Sequence, residues 1–322
     1  MFSSALSTLK KVALTTLGSA ATLTYLSLPG LAQVDETIKT GAEVNEISQS
    51  TTLLILATTG DGQIAGNGSG SLIAKEGNTC VGVTNRHVID GANEFRYVVR
   101  TADREIHPVK EIRAFNQEDL AIVTFECQQN YTPVPLATYQ LSPGQEVYLS
   151  GWPADSTPDG SYARHFTSGS ISTILDSPVA GYQVGYTNVT NSGMSGGQVL
   201  DAAGRLVSIH GVGARQDSAR LAARLGIEQS VASELADKTG FNYGIPVTTF
   251  LARASQAGFN YPFNVVYSAP QAPASGPVSQ GSYTYEPDAN DQVDLDDTLN
   301  NVNSIFNTID RGANTFCRFL GC

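Results

Sequence analysis

Three short stretches hold side chains whose types and order could perform one reaction. TNSGMSGGQVLD, residues 190–201, sets Ser195 among glycines and ahead of the apolar pair Val199 and Leu200. VTNRHVID places His87 just past a strand-like run, and NQEDLAIVTF places Asp119 immediately before another. Singly, each has an ordinary reading: Gly/Ser/Asn clusters are common loop material, and a lone His or Asp at a strand end is usually structural. Together they are the parts of nucleophilic acyl transfer. A serine hydroxyl is too weakly acidic to act alone; it needs an imidazole to take its proton and a carboxylate to hold that imidazole. The glycine-rich turn adds donors, because the N–H groups of Gly193 and Ser195 are expected to converge on one oxyanion, each contributing about 3 kcal/mol.

Such parts must be carried on rigid elements. From Thr51 onward the chain is a series of short runs rich in Val, Ile, Tyr and Phe, divided by Gly, Asn, Asp and Pro. They include TLLILA, GSGSLIA, VGVTN, FRYVVR, LAIVTF, EVYLSGW, SGSIS, YQVGYTNV, GQVL, RLVSIHG and NYGIPV. That pattern predicts an all-β architecture of antiparallel strands, with no regular helices between them to build a parallel sheet. A waist at Gln129–Pro135 (QNYTPVP) divides the runs into two groups of similar size, so two consecutive barrels are expected, about 45–130 and 136–247. One helical insertion is expected at Ser218–Lys238, and a helix from Thr248 with a hydroxyl cap and a closing glycine.

The remainder of the 322 residues is organised differently. Residues 1–32 read as a signal peptide: Lys10 and Lys11, a short apolar stretch, then Gly30-Leu31-Ala32 as a cleavage site. The mature chain is then secreted or periplasmic, with no membrane span after signal removal. Past the body, over about 45–265, residues 266–298 read as a Pro/Ser/Gly and acidic linker, and 299–322 as a short amphipathic helix. Its stripe runs through Leu299, Val302, Phe306, Ile309, Ala313, Phe316 and Leu320, and is expected to pack on the body or on a docking partner. The net charge of −11 argues against nucleic acid, whose binding needs a basic face.

Four cysteines suit an oxidising compartment. Cys80 and Cys127 end two strand-like runs and are expected to pair, free buried thiols being the alternative; Cys317 and Cys322 could close a terminal ring. No motif calls for a metal or cofactor. The cysteine spacing fits no zinc pattern, the Asp291–Asp297 run lacks a calcium-loop pattern, and His107 and His165 stand alone in polar surroundings.

TNRHVI, EDLAIVTF and GMSGG, in that order, resemble the three catalytic motifs of trypsin-like (chymotrypsin-fold) serine peptidases. The bacterial branch, with its Do-like and glutamyl endopeptidases, is nearest, and the likeness covers about residues 45–265. It implies two six-stranded antiparallel barrels with a C-terminal helix and an appended tail, and a site in the cleft between barrels. It also implies His87 as general base, Asp119 as orienter, Ser195 as nucleophile, and a serine endopeptidase acting on protein or peptide substrates. Two positions depart from the pattern. Met194 replaces the Asp that precedes the serine in trypsin, which excludes activation by an ion pair to a new N-terminus, and Gln198 replaces the usual Pro.

The resemblance also bears on which bond is cut. Val189, six positions before Ser195, stands where trypsin keeps its pocket carboxylate, so a basic side chain would meet no partner. Thr190 and His210 occupy the offsets at which glutamyl endopeptidases bind an acidic side chain, and cleavage after Glu, or Asp, is the expectation. A small apolar pocket for uncharged side chains is the alternative. Gly211, Val212 and Gly213 would offer backbone to an extended substrate. A catalytically idle binding module on the same fold is the competing reading. An esterase or thioesterase is disfavoured because its motifs run Ser, acid, His.

Overall fold

The computed structural model describes residues 36–154, 161–213, 218–236 and 241–272, together with 292, 293, 304 and 306. The expected signal peptide, Cys317, Cys322 and all of the terminal apolar stripe except Phe306 lie outside the described residues.

Helix α1 (Gly41–Thr51) opens the body. Thr40 caps it, its hydroxyl accepting the Glu43 N–H at 3.3 Å while the Glu43 carboxylate accepts the Thr40 N–H at 2.7 Å. This reciprocal box satisfies two amides that the first turn leaves unpaired. The chain then enters the first barrel without a loop. Its strands are β1 (Thr52–Thr58), β2 (Ile64–Glu76), β3 (Thr79–Thr84), β4 (Arg96–Arg100), β5 (Ile106–Ala114) and β6 (Ala121–Glu126). Neighbours run β1-β2-β3-β6-β5-β4, and β4 pairs back on β1 to close the ring.

After the waist come β7 (Leu136–Ala137), β8 (Glu146–Gly151), β9 (Tyr162–Ala163), β10 (His165–Val179), β11 (Tyr182–Tyr186), β12 (Gln198–Asp201), β13 (Leu206–Val212) and β14 (Asn242–Pro246). Six of these form the second ring, β12-β8-β10-β11-β14-β13, closed where β13 pairs with β12. The fold is thus mostly β, with two closed six-stranded antiparallel barrels. Short β7 lies beyond β13 and pairs in parallel with β15 (Val265–Val266).

The helical insertion is two helices rather than one, α2 (Ser218–Leu225) and α3 (Gln229–Ala236). Gly226 breaks it with φ +65°, a left-handed conformation that ends helices and favours glycine. Helix α4 (Val247–Gln256) starts from Pro246, with no side-chain cap where a hydroxyl was expected, and closes at Gly258 with φ +76°. Proline needs no N–H partner there, and its fixed φ suits entry into a helix. Phe250 of α4 packs edge-on to Phe115 and Phe263, tying the helix across both barrels.

Alternation along the strands sorts the core. Leu53 and Ile55 of β1 point into the first barrel with Leu72, Val99, Val123 and Phe125. Leu54 and Leu56 point outward against Trp152 and Tyr162. That two-sided burial explains the unbroken apolar run of β1. Ile73, Val81, Val83 and Ile122 face Leu200, Leu206 and Ile209, forming the apolar seam between barrels. Cys80 and Cys127 form a disulfide inside the first barrel, with Cα atoms 5.8 Å apart.

Among the described residues, parts of the tail touch the body. β16 (Gln292–Val293) pairs antiparallel with β9, matching Gln292 to Ala163 and Val293 to Tyr162. Phe306 packs on the Leu54, Leu56, Val98, Trp152 and Tyr162 cluster, with the Arg96 guanidinium 5.0 Å above its ring. Among the described residues no helix is long and apolar enough to cross a membrane.

Candidate active site

Asp119 and His87 meet on the first barrel. His87 follows β3 in a single 3-10 turn, Arg86–Val88, and Asp119 precedes β6, the neighbour of β3. His87 Nδ1 lies 2.6 Å from Asp119 Oδ2, and the His87 backbone N–H donates to Oδ1 at 2.9 Å. The Asp119 side chain is fully buried. Burial alone would push its carboxyl upward. The His87 charge, the hydrogen bonds from His87 and the Tyr182 hydroxyl outweigh this and hold it at about 2. The carboxylate is therefore ionised and can only accept, so Nδ1 carries a proton that points at it.

Sequence reasoning missed two of the groups that hold Asp119. Tyr182 OH donates to Asp119 Oδ2 at 2.5 Å, and the Asp119 N–H donates to Ala180 O at 2.9 Å. Both come from the β10–β11 turn of the second barrel, where Ala180 and Gly181 have φ +50° and +90°. No local signal marks them, since their role depends on a contact between barrels. Asn85, inside the quoted TNRHVI, adds a side-chain N–H to the Asp119 carbonyl at 2.9 Å.

Ser195 sits on the second barrel, just before β12, in a loop held by its backbone. The Ser69 N–H donates to Ser195 O at 2.8 Å, and the Gly196 N–H to His210 O at 2.7 Å. Gly193 and Gly196 have φ +91° and +87°, and a Cβ on Gly196 would strike Ser69 O and Thr84 Oγ1. Only glycine allows this approach of the two barrels. Met194 is buried in the second core, and its sulfur accepts the Asn191 N–H at 3.4 Å. An apolar anchor thus stands where trypsin has a carboxylate.

The Ser195 hydroxyl donates to Gly211 O at 3.3 Å, and no hydrogen bond joins it to His87. A Cβ on Gly211 would strike the Tyr182 hydroxyl and lie 2.8 Å from Asn85 Oδ1. Gly211 therefore connects the surroundings of Ser195 to the groups that grip Asp119. Among the described residues, the Gly193 and Ser195 N–H groups have no protein acceptor. On the far side of the loop, Ser69 Oγ donates to Gly193 O at 2.9 Å and accepts the Trp152 N–H at 2.8 Å.

The presumed specificity residues are arranged unevenly. His210 is buried on β13, its Nδ1 hydrogen-bonded to Tyr186 OH at 2.6 Å. Complete burial pushes the Tyr186 phenol well above its ordinary value. Thr190 Oγ1 donates to Asn242 Oδ1 at 2.6 Å, so its proton is engaged within the protein. Asn242, which the sequence did not single out, donates in turn to Asn188 O. Gly211 and Val212 continue β13, Gly213 follows it, and Val189 stands 70% exposed outside the pocket.

Residues 68–209 match the family model described as the trypsin-like peptidase domain. Over those residues the chain is similar to a trypsin-like peptidase domain. It is 29% identical over 195 residues to Protease Do-like 1, chloroplastic, of Arabidopsis thaliana, a match covering 57% of this chain and 37% of that protein. The chain thus spans little more than a third of that relative's length. Among solved structures, a serine endoprotease from Yersinia pestis shares the fold of the trypsin-like domain. It has a TM-score of 0.51 and 17% identity, with coverage of 69% of this chain and 67% of that one. A crystal structure of Deg5 aligns with a TM-score of 0.47 and 22% identity over 66% of this chain and 90% of that one.

Proposed function

We propose that the chain is an exported serine endopeptidase using His87, Asp119 and Ser195. The observation that carries this is the 2.6 Å contact of His87 Nδ1 with the ionised Asp119, beside a loop that presents Ser195 with two unpaired amides. In this reading Ser195 Oγ attacks the scissile carbonyl carbon and gives its proton to His87 Nε2. The carbonyl oxygen takes up the negative charge and receives the Gly193 and Ser195 N–H groups. Collapse expels the amine, which takes the proton back from His87, and leaves an acyl-enzyme; water repeats the sequence to release the acid. Asp119 keeps the imidazole in the productive tautomer and offsets its charge. A serine-directed fluorophosphonate should label Ser195, and labelling should vanish in Ser195→Ala and His87→Ala.

We extend the reading to cleavage after Glu or Asp. Tyr186 keeps its proton, and as donor to His210 Nδ1 it places the imidazole proton on Nε2, where a substrate carboxylate could accept it. Thr190 would join only if Asn242 turned away, so His210 carries more of this proposal than Thr190. Cleavage profiling of a peptide library tests it: an unchanged Glu preference in His210→Ala would remove the pocket assignment.

An idle binding module is the second reading, favoured by the Ser195 hydroxyl turning to Gly211 O rather than to His87. Labelling separates the two. Catalytic hydrogen bonds are often loose before substrate arrives, and one rotation about χ1 redirects the hydroxyl. The export assignment rests on the leader-like residues 1–32 and is tested by N-terminal sequencing of the mature protein.

A further inference from the structure

We propose that Tyr182 is a positioning residue for the catalytic carboxylate, a fourth member of the charge-handling chain supplied by the opposite barrel. The proposal rests on the peptidase reading above and adds a residue to it.

Tyr182 opens β11 and is fully buried. A buried phenol must find a partner for its hydroxyl, and an apolar core would accept Phe at no cost in polar satisfaction. Here the hydroxyl donates at 2.5 Å to Asp119 Oδ2, the oxygen that also faces His87 Nδ1 at 2.6 Å. The other oxygen, Oδ1, takes the His87 N–H at 2.9 Å. Three donors on two oxygens fix both the plane of the carboxylate and its distance from the imidazole.

The turn before Tyr182 is shaped for this contact. Ala180 has φ +50°, a conformation that disfavours residues with a Cβ, and its carbonyl accepts the Asp119 N–H at 2.9 Å. One hairpin of the second barrel thus holds Asp119 at its backbone and at its side chain. The hydroxyl also needs room, and Gly211 provides it, because any Cβ there would collide with the phenol oxygen. Gly211 is the residue whose carbonyl receives the Ser195 hydroxyl. The phenol therefore sits between the two ends of the proton path.

Other charged groups near Asp119 are already engaged. Glu118 is held by Arg253 Nε at 2.6 Å, and Arg86 donates to the carbonyls of Phe115 and Asn116 at 3.3 and 3.2 Å. Charge on Asp119 is thus answered locally by His87 and Tyr182. The phenol draws negative charge off Oδ2. Without it the carboxylate would hold a protonated imidazole more firmly, and a higher pH would be needed to free the base.

The test is the rate of fluorophosphonate labelling of the full chain against pH, in the wild type and in Tyr182→Phe. The variant keeps the packed ring and loses one oxygen. The expected result is a fall of roughly ten-fold in the plateau rate, with the acid-side midpoint displaced to higher pH. In an Asp119→Ala background the same substitution should cause no further loss, because its effect passes through the carboxylate. A wild-type rate and midpoint in Tyr182→Phe, or an equal further loss in the Asp119→Ala background, overturns the proposal. If the wild type itself is not labelled, the peptidase reading fails instead. Should Tyr182→Phe not fold, proton NMR of the wild type supplies the answer. A slowly exchanging low-field hydroxyl resonance that disappears in Asp119→Ala supports the contact, and its absence in the wild type overturns it.

Discussion

Ser195 and Gly211 share a hydrogen bond, hydroxyl to carbonyl, at 3.3 Å. In the proposed peptidase this bond holds the Ser195 hydroxyl beside the strand expected to receive substrate, which would link binding to activation. A peptide pairing with β13 would approach this same segment and release the hydroxyl toward His87. Substitution of His87 by Ala should therefore reduce peptide hydrolysis by roughly four orders of magnitude or more, with binding of a product-like peptide retained. Single-turnover kinetics and a direct binding measurement check the two halves separately.

Acid stability should carry the signature of Asp119. Its carboxyl is held at about 2 in the folded protein against 3.8 for the ordinary group. A depressed folded value contributes stability that is fully present above the unfolded value and lost as pH falls through the folded one. The loss should therefore run from about pH 5 down to about pH 2 and amount to about 2 kcal/mol. Denaturant titrations at a series of pH values should show this arm in the wild type and a shallower one in Asp119→Asn.

The disulfide closes a loop with a sequence separation of 47. Opening it frees that loop in the unfolded chain, and the Cys80→Ser/Cys127→Ser pair should lose about 4 kcal/mol. Thermal unfolding with and without reductant checks it. The wild type should fall toward the double variant when reduced.

Two glycines with positive φ should respond differently to alanine. Gly77 has φ +56° and open space around it, so Gly77→Ala should cost only the left-handed backbone, about 1 kcal/mol. Gly196 has φ +87° and also lies against Ser69 O and Thr84 Oγ1, so Gly196→Ala must push the barrels apart. Fluorophosphonate labelling should survive the first change and be lost in the second.

Much of this was legible in residue order because the motifs are local. A His just after one strand, an Asp just before its neighbour and a Ser in a glycine turn each report on a few adjacent positions. β5 was missed: IHPVKEIRA carries Pro108 and mixes Lys110, Glu111 and Arg113 among half-buried side chains, so it lacks the apolar run that marked other strands. α1 was missed because its apolar content is low, although its capping box, Thr40 with Glu43, is local. The Tyr182–Asp119 bond spans 63 positions and joins two barrels. No spacing rule reaches that far. Thr190 shows the converse, since its offset suggested a substrate donor while its proton is given to Asn242.

Gln292 and Val293 pair with Ala163 and Tyr162, and Phe306 packs on the apolar patch that Tyr162 shares. Trp152 belongs to that patch, and through Ser69 it shores up the carbonyl of Gly193. A cut in the tail would bare grease to water at one end of this short relay and slacken the anion cradle at the other. In the proposed peptidase, durability and turnover would then depend on the same few contacts at Gln292, Val293 and Phe306.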